Sequence, residues 1–469
     1  MNVSCIAHCE LQNRLTNQPT ASLDFVLLVT GALDKDALFL YLKESVRVLK
    51  DGGVLFVQGL PGVLPELGAF LDRRLTFKYW IAVESAPVKR TRLPSVHGAV
   101  LLFTKGKGKV NIRRTRLPHQ QCTACGRTLK DWGGKTHLMN PEGYVISDVI
   151  KDLPSANNYT QISRSLYSLL TRMLDTPSQE TRGMVGPREG LLWLDRVPTK
   201  LKEEHSLPLV SKRRPPLQAS PTFVTDVVYQ GDVLEVLKRY PDASMDLVFA
   251  DPPYNLDKDY ALYDDARIEH EYIEWCNAWL AEYVRILKPT GSLFVLNLPR
   301  WGMHHATFLN QHMCFQSWIV WDAMSKPRGK LMPAHYALLF YTKHPSEFTF
   351  NYEKVSPVDA YHYCLRTSCI RKRKEAGDDD KVNLSDIWRD IHRIFHRHDR
   401  DSHPCQLPEA LMGRIIKLTT NPGDVVLDAF GGTGTTPVVA SKLGRRYIAI
   451  DLDPLYVQMM KDKVARTRT

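Results

Sequence analysis

Two short stretches, far apart in this chain, carry residue types with clear chemical uses. The first, Asp251-Pro252-Pro253-Tyr254-Asn255, follows the apolar run Met245 to Ala250. Such a run reads as a buried strand, and ligands of open α/β sheets bind just beyond the carboxyl ends of strands. Proline fixes φ and lacks an N–H, so two in succession stiffen the loop and point carbonyl oxygens at a ligand. Asp251 supplies an acceptor and Tyr254 a flat surface. An amino group bonded to Asp251 and to the Pro252 carbonyl, its ring stacked on Tyr254, has the arrangement needed to activate an –NH₂. By itself the motif also reads as a Pro-stiffened turn after a strand.

The second stretch runs from Asp424 to Thr436 and holds Asp428, Phe430, Gly432, Gly434 and Thr435. An apolar strand enters a Gly-rich turn and then a helix. Glycine lets backbone approach a ligand closely, and a helix N-terminus presents free N–H groups. A further strand, Tyr447-Ile-Ala-Ile-Asp451, ends in an acid where nucleotide-binding folds commonly hold ribose hydroxyls. This unit fits a dinucleotide or S-adenosylmethionine. It lacks both the G-x-G-x-x-G spacing and a P-loop lysine, which argues against NAD and ATP.

The elements that must position these loops occur twice. Val46 to Lys105 aligns without a gap to Val284 to Lys343, at a constant offset of 238. VRVLKDGGVLFVQGLP answers to VRILKPTGSLFVLNLP, and Trp80/Trp318, His97/His335 and Thr104-Lys105/Thr342-Lys343 are paired identities. The offset returns at Ser147-Asp148 and Ser385-Asp386, so duplication explains the pattern better than convergence. Each copy alternates apolar strands with helical stretches. The expected fold is α/β: a mostly parallel Rossmann-like sheet, helices on both faces, duplicated in tandem. Residues 197–221 are rich in proline and charge and read as a linker between a 1–196 domain and a 222–469 domain. Where the second copy has Asp251 to Tyr254, the first has Val29-Thr30-Gly31-Ala32.

Taken together, these motifs give the second copy a resemblance to the amino-methyltransferases of DNA, in the β group that places DPPY first and FxGxG last. The resemblance runs from about Thr222 to the C-terminus and includes His403 to Leu411, HPCQLPEAL, with Leu407 where the family usually has lysine. It implies a Rossmann-like methyltransferase fold and S-adenosylmethionine as cofactor. It also implies methyl transfer (EC 2.1.1) to the exocyclic amine of a base flipped out of double-stranded DNA. Asp251, Pro252, Pro253 and Tyr254 would grip the target amine. Phe430, Gly432, Gly434 and Thr435, with Asp428, would pack on the cofactor, and Asp451 would take its ribose. Asp232 is similar to the family's acidic position near the cofactor adenine, and reads equally as a helix-capping residue. DPPY goes more often with adenine N6, so that is the expected target, with cytosine N4 as the alternative. A catalytically silent DNA-binding protein is a further alternative, against which the intact motifs argue.

The net charge of +11 favours a polyanionic partner. Residues 344–402, the expected recognition region, contain Arg366, Arg371, Lys372, Arg373, Lys374, Arg393, Arg397 and Arg400 and read as a phosphate-binding surface. The resemblance leaves open whether a cognate restriction endonuclease accompanies it. The first copy, without DPPY or FxGxG, reads as a decayed methyltransferase half that serves as a built-in partner subunit, making the chain a monomer that acts as a pseudo-dimer. Cys122-Thr-Ala-Cys125-Gly126 resembles a zinc-knuckle turn, and Cys364 and Cys369 lie near the equivalent region of the second copy, so the four could form a structural zinc site. The composition, 43% hydrophobic and 24% charged, is that of a soluble globular protein. Nine scattered cysteines, no signal-like N-terminus and no long apolar run lead to the expectation of a cytoplasmic protein without membrane attachment.

Overall fold

The computed structural model describes residues 2–6, 15–31, 35–88, 92–106, 112–129, 134–151, 153, 162–174, 189–193, 223–256, 267–323, 330–378, 380–394 and 406–467. The expected linker at 197–221, with Arg397, Arg400 and His403, lies outside the described residues. No helix among those described is long and apolar enough to cross a membrane.

The N-terminal half contains β1 (Asn2–Ile6), β2 (Leu23–Val29), α1 (Lys35–Val48), β3 (Leu49–Gly59), α2 (Leu64–Asp72), β4 (Thr76–Val88) and β5 (Ser95–Thr104). After the short β6 (Arg116–Leu117), β7 (Tyr144–Val145) and β8 (Val149–Ile150) come α3 (Arg164–Met173) and β9 (Glu189–Trp193). The C-terminal half continues with β10 (Val227–Gln230), α4 (Val233–Leu237), β11 (Met245–Ala250), α5 (Glu269–Ile286), β12 (Leu287–Asn297), α6 (Pro299–Leu309), β13 (Cys314–Asp322) and β14 (His335–Thr342). It ends with β15 (Val358–Asp359), α7 (Thr367–Glu375), β16 (Lys381–Val382), β17 (Ile387–Trp388), α8 (Glu409–Thr419), β18 (Val425–Asp428), α9 (Thr435–Lys442), β19 (Arg446–Asp451) and α10 (Pro454–Thr467).

Each half builds one large sheet, ordered β1-β9-β2-β3-β5-β4-β8 and β10-β19-β18-β11-β12-β14-β13-β17. Neighbouring strands run parallel except around β5 and β14, each antiparallel to both its neighbours. The fold is the expected Rossmann-like α/β class. Successive side chains of a strand point to opposite faces, and β11 divides accordingly: Val248 and Ala250 join one core layer, Leu247 and Phe249 the other. The first layer is closed by α5 and α6, the second by α8 and α9. In α5, Tyr272, Cys276, Trp279, Leu280, Tyr283 and Ile286 recur at helical spacing and are buried, with Glu269 and Glu271 in the first turn and Arg285 in the last.

The two halves repeat one another's register. Val54 pairs with Thr104 as Ser292 pairs with Thr342. They also dock through contacts that come in reciprocal pairs, the signature of an isologous interface. Trp80 and Trp318 stack on one another, centroids 3.8 Å apart and planes within 1°. His97 Nδ1 lies 3.0 Å from Asp386 Oδ2, and its counterpart His335 Nδ1 lies 3.1 Å from Asp148 Oδ2. The backbone N–H of Val96 donates to Asp386 at 2.8 Å, as that of Ala334 donates to Asp148 at 2.8 Å. Lys151–Asp322 and Arg389–Glu84 form a second reciprocal pair, at 2.5 and 3.1 Å. Leu93 enters the core of the C-terminal half, while Leu331 enters that of the N-terminal half. Helices α2 and α6 cross so closely that a Cβ on Gly68 would sit 2.2 Å from Met303 Sδ.

Candidate functional site

A cavity of about 230 Å³ opens at the carboxyl ends of β11, β18 and β19. Its walls include Asp251 to Tyr254 from the loop after β11, Asp428 to Thr433 from the turn after β18, and Asp451 to Asp453 after β19. The two motifs, well separated in sequence, thus meet at one site. Asp232, Thr435, Arg267, Trp275, Leu407 and Tyr456 complete much of the wall.

The first loop is tied down from three sides. The Tyr254 hydroxyl donates to Asp251 Oδ1 at 2.6 Å. Tyr272 of α5 donates to the Pro253 carbonyl at 2.6 Å, and the Trp301 indole of α6 to the Tyr254 carbonyl at 2.7 Å. Asn255 has φ +52° and closes the turn by donating to the Arg267 carbonyl at 2.9 Å. The tyrosine departs from expectation in one respect: only 6% of its surface is exposed, and its ring lies 5.9 Å from that of Tyr336. In this state its hydroxyl orients Asp251, and its face is largely covered.

The second loop depends on buried carboxylates and glycine geometry. Asp428 is 3% exposed and spends both oxygens inside the turn, accepting from the Phe430 N–H at 3.0 Å and the Thr436 hydroxyl at 2.5 Å. Burial pushes its carboxyl up to about 6. Asp428, expected as a cofactor contact, lines the cavity and also holds the loop in shape. Gly434, expected to face the cofactor, has φ +88°, and a Cβ there would meet Met460 Cγ at 2.7 Å. Its smallness serves the packing of the turn on α10. Gly432 takes φ +50° and donates its N–H to Asp451 Oδ2 at 2.8 Å. Asp451 also accepts from the Asp453 N–H at 2.9 Å, and burial raises its carboxyl to about 6. Phe430 lies edge-on to Trp279 and Trp275, at 5.2 and 5.8 Å. Thr435 donates to the Leu407 carbonyl at 3.2 Å. Asp232 caps α4, accepting from the Leu234 N–H at 2.9 Å, so the capping reading holds while the residue also lines the cavity.

Sequence reasoning missed Tyr283. Its buried hydroxyl donates to the Phe249 carbonyl at 2.8 Å and accepts from the Ala429 N–H at 3.1 Å, which joins the strand ends that carry the two motifs. Trp275, Arg267 and Tyr456 were also missed. An aromatic at helical spacing gives no sign of whether it meets core or cavity.

The basic stretch divides. Arg371, Lys372 and Lys374 project from α7 as exposed side chains. Arg373 does not: it is 5% exposed, pairs with Asp380 through two bonds at 2.5 and 2.7 Å, and donates to Cys369 Sγ at 2.9 Å. Arg366 is half-buried and donates to the Thr128 carbonyl of the other half at 2.7 Å. Of the five residues expected to contact DNA, Arg373 is thus buried and bonded within the protein and Arg366 is turned towards the other half, while Arg371, Lys372 and Lys374 face outwards. Cys122, Cys125, Cys364 and Cys369 are brought together outside this cavity.

Residues 245–462 match the family described as DNA methylase. The chain is 39% identical over 245 residues to the Type II methyltransferase M.BamHI of Bacillus amyloliquefaciens, a match spanning 50% of this chain and 57% of that protein. It is 34% identical over 239 residues to the Type II methyltransferase M.HpaI of Haemophilus parainfluenzae, spanning 50% of this chain and 72% of that one. Over 243 residues it is 33% identical to the DNA adenine methyltransferase YhdJ of Escherichia coli, covering 50% of this chain and 80% of the relative.

Proposed function

The chain belongs to the DNA methylase family, and on that premise we propose that its C-terminal half methylates the exocyclic amine of a base in double-stranded DNA, adenine N6 before cytosine N4. One observation carries this reading: the Asp-Pro-Pro-Tyr loop and the Gly-rich turn line the same cavity. The naming of the E. coli relative as an adenine methyltransferase supports the choice of base.

The cavity suits S-adenosylmethionine. Asp451 and Asp232 offer carboxylate acceptors for ribose hydroxyls and an amino group, Phe430, Trp275 and Leu452 offer apolar surface, and the positive-φ turn at Gly432 exposes backbone. When bound, that cofactor supplies the electrophilic methyl group. The chain's own part is to present the amine. Oriented by the Tyr254 hydroxyl, the Asp251 carboxylate is the acceptor for a base amine, and its charge steadies the positive charge that develops on that nitrogen. Tyr272 and Trp301 hold the loop so that the acceptors are in place before the base arrives. An amine in a paired duplex cannot reach a recessed strand end, so the base enters flipped out. Arg371, Lys372 and Lys374 on α7 meet the phosphates.

The N-terminal half serves as a built-in partner subunit. The reciprocal contacts of His97, His335, Trp80 and Trp318 support this role, since they are those of a two-fold dimer written into one chain. Sedimentation should accordingly give a monomer, and an obligate homodimer would count against it.

The test of the main reading is sequencing of DNA from cells expressing the chain, by a method that reports modified bases and their context. N6-methyladenine at a fixed site is the expected result. N4-methylcytosine would correct the base while keeping the reaction, and unmodified DNA from cells containing folded protein would overturn it.

A further inference from the structure

Four cysteines from opposite halves converge beside the interface. Cys122 Sγ lies 3.8 Å from Cys369 Sγ, and Cys125 Sγ lies 3.7 Å from Cys364 Sγ; all four sulfurs lie within 4.8 Å of one another. We propose that they bind one zinc ion, which clamps the 122–129 turn of the N-terminal half to the recognition region of the C-terminal half.

The distances favour a shared metal. A tetrahedron with Zn–S bonds of about 2.3 Å has edges of about 3.8 Å, close to both measured separations. A disulfide needs sulfurs about 2.05 Å apart, and all four thiols are free. Their surroundings are built for negative charge. The Cys122-x-x-Cys125-Gly126 turn has the shape of a metal knuckle: the Gly126 N–H donates to the Cys122 carbonyl at 2.8 Å, and Gly126 takes φ +67°. Arg373 donates to Cys369 Sγ at 2.9 Å and is itself fixed by Asp380 and by the Tyr363 ring, 4.5 Å away. An arginine committed to a sulfur in this way is an outer-shell partner that offsets the charge of a four-thiolate centre. Four thiolates at this spacing repel one another unless a cation lies between them.

The fold explains why the site straddles the halves. Both cysteine pairs lie near equivalent places after β5 and β14, and docking of the halves brings these loops together. The Thr123 N–H donates to the His362 carbonyl at 3.2 Å, and Arg366 reaches Thr128 at 2.7 Å. Cys369 and Arg373 both lie on α7, so the metal also fixes the helix that carries the exposed Arg371, Lys372 and Lys374.

The test uses the full chain purified without chelator. Elemental analysis should find zinc stoichiometric with protein. Thiol titration of the native chain should gain four reactive groups once zinc is withdrawn. Cobalt in place of zinc should give thiolate charge-transfer absorption and the visible bands of a tetrahedral site. Cys125→Ser, at the exposed member of the set, should lose most of the zinc and melt at a lower temperature. Metal-free protein in which chelator changes neither thiol reactivity nor melting, and which takes up no cobalt, would overturn the proposal. Because the cobalt and thiol readings are made on the unaltered chain, failure of a variant to fold cannot mask that result.

Discussion

The two halves of the chain agree almost position by position where they pack and part company where strands end. β2 pairs with β3, and β11 with β12, in one register, so Val29 stands where Asp251 stands. The same comparison sets Leu192 of β9 against Asp428 of β18. After β9 the sequence runs Leu194-Asp195-Arg196-Val197-Pro198, without the glycines that follow Asp428. A valine cannot accept from an amine, and a turn without glycine does not readily take the positive φ seen at Gly432 and Gly434. What the pair teaches is that interface and sheet are fixed by buried side chains that both halves keep. The residues proposed for the chemistry sit at strand ends, where the two halves differ.

The sharpest way to test that contrast is Asp251→Ala, which should lower the methylation rate about a thousandfold, the scale of a lost polar group acting on the reacting atoms. Calorimetry should show cofactor binding nearly unchanged, and Val29→Ala in the other half should leave the rate alone. A variant that still methylates DNA would remove Asp251 from the mechanism.

The next test asks whether the interface is truly two-fold. His97→Ala and His335→Ala each leave a buried carboxylate short of a partner, which costs about 2 kcal/mol. The two should lower the melting temperature by similar amounts. A large inequality would mean that one half alone carries the docking.

A pH series sharpens the difference at the second strand end, since only the C-terminal half has Asp451. Burial holds its carboxyl at about 6, and hydroxyls bind the ionised form. Cofactor affinity should therefore be flat above pH 6 and fall by up to about tenfold per unit below it. The folded value lies above the ordinary range for Asp, so this group favours the fold as pH drops from about 6 towards 4. Loss of affinity there, measured by calorimetry, is then not local unfolding. In Asp451→Asn the affinity should be low and free of this slope.

Much of this was open to reading in the sequence, and the exceptions share a cause. The offset of 238 between Val46 and Val284 predicts the shared register, because a gapless repeat of strands and helices keeps its pairing. The two motifs could be placed at neighbouring strand ends because a strand's carboxyl end is where a Rossmann-like sheet opens. What could not be read was anything set by docking or by helix phase. His97 and Asp386 are distant in sequence and meet only because two similar faces turn towards each other. Within the run Arg371 to Lys374, the helical turn sends Arg373 inwards and its neighbours outwards. Tyr283 belongs to the buried stripe of α5, where nothing in the spacing separates a core tyrosine from one that braces two loops.

The smallest expected effect is the most telling about why the N-terminal half is there. Asp72, at the end of α2, accepts from Arg300 Nε at 3.0 Å and lies 3.0 Å from His304 Nε2, both on α6. The neighbouring Trp301 holds the Tyr254 carbonyl, so the N-terminal half reaches the Asp251 loop through one helix. Arg300 also pairs with Glu269 at 2.8 Å, which limits what is lost when Asp72 goes. Asp72→Ala should therefore lower kcat only severalfold, about 1 kcal/mol, with cofactor affinity unchanged and Asp72→Glu restoring part of the rate. A melting temperature that falls while kcat stays at the wild-type value would make Asp72 a packing residue, and the N-terminal half a scaffold that holds the enzyme without tuning it.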